Sequence, residues 1–246
     1  MRRLAASLLL LTLMPSAHAA NADFSISCSA GLSACQQAFH DVVKDVGAVF
    51  NYKNLAPAEA TGLTGIGVGA VGGYGATRND AAWKTLTGSN VDAVGFVGGS
   101  ISKGLPLGLD VAAFYTAVPG SGANFYGGQL RYAILEGGVA SPALALAASY
   151  AKSGGIDDFD YRAWSVDALV SKGFAFITPY LGVGRVSAKA DPSGALKTTL
   201  GLQNQSPDYT RVLLGLRFSL ALLEITPEYE HIGDYNVYNL RVGLSF

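Results

Sequence analysis

From residue 64 to Phe246, apolar and polar residues alternate in short runs separated by Gly, Pro, Asn and Asp, the period-two pattern of strands whose two faces meet different surroundings. Ten runs are predicted, near 64–77, 91–102, 107–118, 123–135, 143–153, 160–171, 174–186, 208–219, 222–231 and 237–246. Eight is the alternative if the second strand or an end strand is not a span. An even number returns both ends of the sheet to one side, as single-chain barrels require. Connections at 103–106, 136–142, 172–173 and 220–221 fall on that side. Those at 78–90, 119–122, 154–159, 187–207 and 232–236 fall on the other, where the longest loop belongs. The last run alternates most cleanly, with Tyr238, Leu240, Val242, Leu244 and Phe246 on one face and Asn239, Arg241, Gly243 and Ser245 on the other. The predicted fold is an all-β membrane barrel of about ten antiparallel strands over 63–246, one face of each strand toward lipid.

Charged residues supply a register. A two-residue turn at 220–221 sets Arg217 opposite Glu224 and Arg211 opposite Glu230. A four-residue turn at 233–236 sets Arg241 opposite Glu228 and Asn239 opposite Glu230, and across 119–122 Asp110 meets Arg131. A turn at 172–173 sets Asp167 opposite Thr178, with Trp164, Ala168 and Val170 joining Ile177 and Leu181 outside while Phe176 and Tyr180 project inward. A charge on the lipid side costs roughly 2 to 4 kcal/mol at mid-depth, so these pairs are expected in the lumen. The second strand takes no orientation, because Val94 and Phe96 alternate against Val91 and Val97. About eight strands are just filled by side chains, so ten carrying paired charges and inward aromatics imply a plugged or very narrow interior.

The terminal strand, alternating and ending on Phe246, resembles the C-terminal insertion signal of Gram-negative outer-membrane β-barrels. The resemblance implies an outer-membrane location, outer-membrane lipid around the barrel and insertion by the barrel assembly machinery. Ahead of the barrel, residues 1–19 read as a signal peptide: Arg2 and Arg3, an apolar core from Leu4 to Met14, Pro15, and the small-residue site Ala17-His18-Ala19. Cys28 is poorly placed for lipidation. Segment 20–62 is expected in the periplasm and holds a helix over 33–50, capped by Ser33, with Phe39, Val42, Val43, Val46, Val49 and Phe50 at helical spacing. Too short and polar to span, it is left three places: plugging the periplasmic mouth, lying against the inner surface of the membrane, or forming a small periplasmic cap. Residues 51–61, with Pro57, are a linker. The stretches 39–48, 52–59 and 61–65 look like the N-terminal signature of an uncharacterised proteobacterial barrel family, which implies helix, linker and barrel and brings no activity.

Composition agrees with a strand-crossing membrane protein. The 246 residues are 50% hydrophobic and 14% charged with 31 Gly, against about 25% charged in soluble domains, and past the leader there is no apolar run of 18 residues. A net charge of −1 supplies no basic field for nucleic acid. Cys28 and Cys35, the only cysteines of an exported chain, favour a disulfide; a free pair or a metal site is the alternative, the latter short of ligands with only His40 near. His231 with Asp234, and Asp157, Asp158 and Asp160, are the residues a rim hydrolase would use, and such a set would resemble the omptin proteases; the short loops and missing omptin segments argue against it. No cofactor or metal is implied, no enzyme is expected, and no ligand can be named. The expected role is structural or the passage of small solutes. A surface binding or adhesion module using loop 187–207 is the alternative.

Overall fold

The computed structural model describes residues 26–138 and 141–246; the signal peptide assigned to 1–19 lies outside them. Ten strands, β1 (Ile66–Ala76), β2 (Ala93–Gly104), β3 (Leu109–Ala117), β4 (Asn124–Leu135), β5 (Ala143–Gly154), β6 (Phe159–Ser171), β7 (Ile177–Pro192), β8 (Asp208–Leu220), β9 (Leu223–Ile232) and β10 (Tyr235–Ser245), pair antiparallel in chain order. β1 closes on β10, Gly67 opposite Ser245 and Tyr74 opposite Tyr238, so the described sheet is a barrel without a free edge. Val68, Ile101, Leu130, Leu146, Val166, Val183, Leu214 and Leu240 point outward and are exposed, which forms an apolar belt. On β2, Val94 and Phe96 are buried inward while Val97 and Ile101 face out, which settles the strand the alternation left open.

Three turns differ from expectation. The β8–β9 turn is Ala221–Leu222, with Ala221 at φ 56°, so Ser219 rather than Arg217 faces Glu224 across the ladder. Between β9 and β10 the turn is Gly233–Asp234, two residues instead of four, which sets Asn239 opposite Glu228 and Arg241 opposite Thr226. Between β6 and β7, Phe174 pairs back onto Ile177, so Asp167 faces Gly184 rather than Thr178, and Phe176 is exposed in the turn rather than inward. Each shift moves the register by an even step, so the faces are unchanged while the partners differ. β7 also runs on to Pro192, which puts Ser187, Lys189 and Asp191 in the strand and shortens the loop that was expected to begin at 187.

A helix, α1 (Leu32–Val49), begins after Gly31 at φ 90°; Ser33 lies inside its first turn and makes no cap. It stands in the mouth that carries the long loops, at the other end of the barrel from the three places left open for it. Packing explains this. Phe39, Val42, Val43, Val46 and Val49 are buried against Phe125, Phe159, Tyr161, Val186, Ala188, Ile232 and Val237, the apolar inward residues of that half of the barrel. Burying each such side chain is worth roughly 1.5 to 3 kcal/mol, and the other half of the lumen is too polar to offer that. Gly47 lets the helix approach the wall, because a Cβ there would lie 2.6 Å from the Tyr209 hydroxyl. The β1–β2 loop folds into α2 (Asp80–Thr87), whose Trp83 and Leu86 close the same core from the side. The β7–β8 loop carries α3 (Gly194–Thr198).

Candidate functional site in the lumen

Below α1 the chain runs down through the barrel as a strap, residues 51–61, before turning into β1. A strap inside a barrel must satisfy its backbone on the wall, and the wall supplies the groups. At the top, Arg211 on β8 donates to Asn51 Oδ1 at 2.8 Å, to the Tyr52 carbonyl at 2.9 Å and to Glu230 at 3.2 Å, and pairs with Asp167. Lys53 Nζ meets Glu230 at 2.6 Å. One level down, Glu228 accepts from the Leu55 amide at 3.0 Å and the Tyr180 hydroxyl at 2.9 Å, while Gln129 donates to Asn54 at 3.1 Å. Arg131 holds the Pro57 carbonyl at 2.8 Å and Asp110 at 2.7 Å, Asp110 accepts from the Thr61 amide at 3.1 Å, and Ser171 Oγ accepts from the Ala58 amide at 3.1 Å. At the lower mouth Arg217 reaches Glu59 at 2.8 Å and Glu224 at 3.7 Å, and Arg241 reaches Glu224 at 3.1 Å.

Glycines on the wall let non-neighbouring strands meet. Asp167, Gly184 and Arg211 form one row across β6, β7 and β8, so the ion pair closes over a position with no side chain. Tyr180, Gly215 and Glu228 repeat the device across β7, β8 and β9. A cavity of about 90 Å³, lined by Tyr52, Phe96, Phe114, Gln129, Arg131 and Arg241, remains beside the strap; it is well above the roughly 10 to 15 Å³ that a single water needs, so water fits there.

The residues singled out from sequence fall as follows. Asp110 and Arg131 face each other directly. Arg217 with Glu224, and Arg211 with Glu230, are diagonal rather than facing, since the turn is one residue later. Arg241 pairs with Glu224 and not with Glu228, whose partners are the strap, Tyr180 and, at 3.5 Å, Asn239. Tyr238, Leu240, Val242, Leu244 and Phe246 are all exposed on the outer wall. Cys28 and Cys35 form a disulfide beside the start of α1, where the Ser27 amide bonds the Leu86 carbonyl at 2.8 Å and the Ile26 amide bonds Asp158 at 2.7 Å. Sequence reasoning missed Lys53, Asn51, Glu59 and Asp45. Asp45, on α1 just beyond the end of β1, accepts from Trp83 Nε1 at 2.7 Å and Asn79 at 2.8 Å. Burial pushes its carboxyl above the usual carboxylate range, against the pull of Trp83, Tyr235, Arg78 and Asn79.

At the rim, His231 Nδ1 pairs with Asn236 Oδ1 at 2.9 Å, which also accepts from Tyr229, and His40 pairs with Gln205 at 2.7 Å. Among the described residues no hydrogen bond or ion pair joins either imidazole to an acid, and no group of three or more His, Cys, Asp or Glu is placed to hold a metal. Gln203 and Gln205 of the β7–β8 loop are tied to Gln36 and His40 of α1.

An apolar outer belt on a closed sheet, with the buried ion pairs turned inward, defines a membrane β-barrel whose lumen is filled by its own N-terminal segment. The chain belongs to a family of unknown function, DUF6588, whose model matches residues 89–246. That match begins in the loop before β2, so it does not bear on the resemblance carried by 39–65. No curated protein matches the chain. Solved structures similar to it include the N-terminal β-barrel domain of Pseudomonas aeruginosa OprF, at 14% identity and TM-score 0.35 over 75% of this chain and 99% of that one. The KdgM porin is similar at 8% identity and TM-score 0.39 over 73% and 99%. The translocator domain of the autotransporter NalP from Neisseria meningitidis is similar at 12% identity and TM-score 0.37 over 87% and 95%.

Proposed function

We propose that this chain is a sealed outer-membrane barrel that presents a rigid surface at its loop-bearing end and does not conduct in its resting state. The carrying observation is the strap: it is bonded to inward side chains of β3, β4, β6, β8 and β9 from Asn51 down to Thr61, below a helix with a fully buried apolar stripe. In the orientation that puts the strand termini in the periplasm, the loops and the first turn of α1 face outward. The N-terminal segment then crosses the membrane inside the barrel and emerges at the outer surface, opposite to the periplasmic placement the sequence suggested. Passage of small solutes requires the strap to be displaced. Loop 187–207 as a flexible adhesion arm is the weaker reading, because Gln203 and Gln205 are spent on α1.

An epitope inserted between Ala20 and Asn21 tests the orientation. Antibody should label it on intact cells, as it labels a second epitope placed in the β7–β8 loop at Asn204. Labelling of the first only after the outer membrane is permeabilised would overturn the proposal.

A further inference from the structure

On the outer wall toward the loop-bearing end, Lys152, Arg162 and Lys189 of β5, β6 and β7 stand directly opposite one another. Like charges facing across strands destabilise a sheet, so this row needs anions. Asp191 supplies one, at 3.0 Å from Arg162 and 3.0 Å from Lys189. Lys152 lies over the Tyr126 ring at 5.0 Å, and Arg185, exposed on β7 opposite Val166, is nearby. Among the described residues Lys152 and Arg185 form no salt bridge, although Asp160, facing Asp191 one row above, acts on Lys152 through space. Directly below the row Tyr150 and Trp164 are in contact, ring centroids 4.4 Å apart, and below them Leu146, Val166 and Val183 form an exposed aliphatic wall.

The Lys152, Arg162 and Lys189 row, then the aromatic pair, then aliphatics with Arg185 beside Val166 at their upper edge, follow one another down a membrane-facing surface and match one kind of ligand. We propose that this wall binds a glycolipid bearing more than one phosphate. Its phosphates lie among Lys152, Arg162, Arg185 and Lys189, a sugar face lies against Tyr150 and Trp164, and its acyl chains lie along Leu146, Val166 and Val183. Two of the four cations are guanidinium groups, whose paired donors match phosphate oxygens. A protein partner fits less well, since the patch runs without a break into the lipid belt. The inference rests on the proposed orientation only for which leaflet supplies the ligand; binding in detergent succeeds or fails independently of it.

The full-length protein refolded in detergent micelles is titrated with bisphosphorylated lipid A, with its dephosphorylated counterpart, and with inorganic phosphate as competitor. Wild type should bind the phosphorylated form at least about twentyfold more tightly, since two cations near an anionic lipid surface, at roughly fivefold each, already give that. Lys152→Gln with Arg162→Gln, Arg185→Gln and Lys189→Gln should lose that preference, while Lys84→Gln with Lys197→Gln, on exposed loop helices, should keep it. If the fourfold variant does not fold, Arg185→Gln alone, at an exposed position, should lose roughly fivefold. Equal binding of the two lipid forms, equal loss in the loop variant, unchanged binding in Arg185→Gln, or full displacement by inorganic phosphate would each overturn the proposal.

Discussion

Arg211→Met is the perturbation that probes the lumen most sharply. The Arg211 side chain is 1% exposed and holds Asp167, Glu230, Ser165, Asn51 and the Tyr52 carbonyl at once. Glu230 keeps Lys53 at 2.6 Å when Arg211 is lost. Asp167, fully buried, keeps only a Ser165 hydroxyl at 3.5 Å. Breaking a buried pair by removing one partner costs about 3 to 5 kcal/mol, mostly from the charge left behind. The strap also loses two hydrogen bonds to an ionised donor, of order 1.5 to 3 kcal/mol each, in part already counted in that figure. Urea unfolding of protein refolded into lipid vesicles measures this, and the two tryptophans separate the parts: Trp83 reports on the plug and Trp164 on the lipid-facing wall. The expected loss is about 3 to 5 kcal/mol on both reporters. Adding Asp167→Asn should return more than half of it, because the stranded charge is gone. A loss under about 1 kcal/mol, or no rescue by the second substitution, would refute the view that Arg211 is held by charge.

Further outcomes are expected. Gly215→Ala drives a Cβ into the Tyr180 ring, so unfolding in urea should show about 1 to 3 kcal/mol of overpacking, whereas Gly88→Ala, with open space around it, should show only the smaller cost of its left-handed backbone. Gly47→Val pushes α1 from Tyr209 and Ala188 and should raise protease cleavage within 26–60 while the strands stay intact. The raised Asp45 carboxyl has a definite sign: its ionised form is disfavoured in the folded state, so plug stability should fall as pH rises through the ordinary carboxylate value of 3.8 toward the raised folded value and stay lower above it. Asp45→Asn should flatten that dependence of the Trp83 signal.

Much of the architecture is legible in the alternation. Closure, strand number and the inward side of Asp110, Arg131, Arg211, Glu228, Glu230 and Arg241 all follow from period two, because lipid and lumen sort residues by polarity alone. Register is harder, since an even slip leaves every face unchanged and only turn geometry tells the alternatives apart. Ala221 at φ 56° carries the β8–β9 turn, and nothing in an alanine announces a left-handed position. The Asp167 to Arg211 contact skips a strand; Gly184 between them is the signal that could have found it. The strap is the least legible part. Lys53, Asn54 and Glu59 read as an ordinary polar linker, and only the three-dimensional requirement to pair Glu230, Gln129 and Arg217 shows why those residue types stand there.

Single-channel conductance of the refolded full-length protein, beside a form lacking residues 20–60, tests the sealed lumen most directly. The account predicts silence from the full chain and steady current from the truncated form, whose wall loses the strap and α1 together. A steady open-channel current from the full-length protein would contradict it.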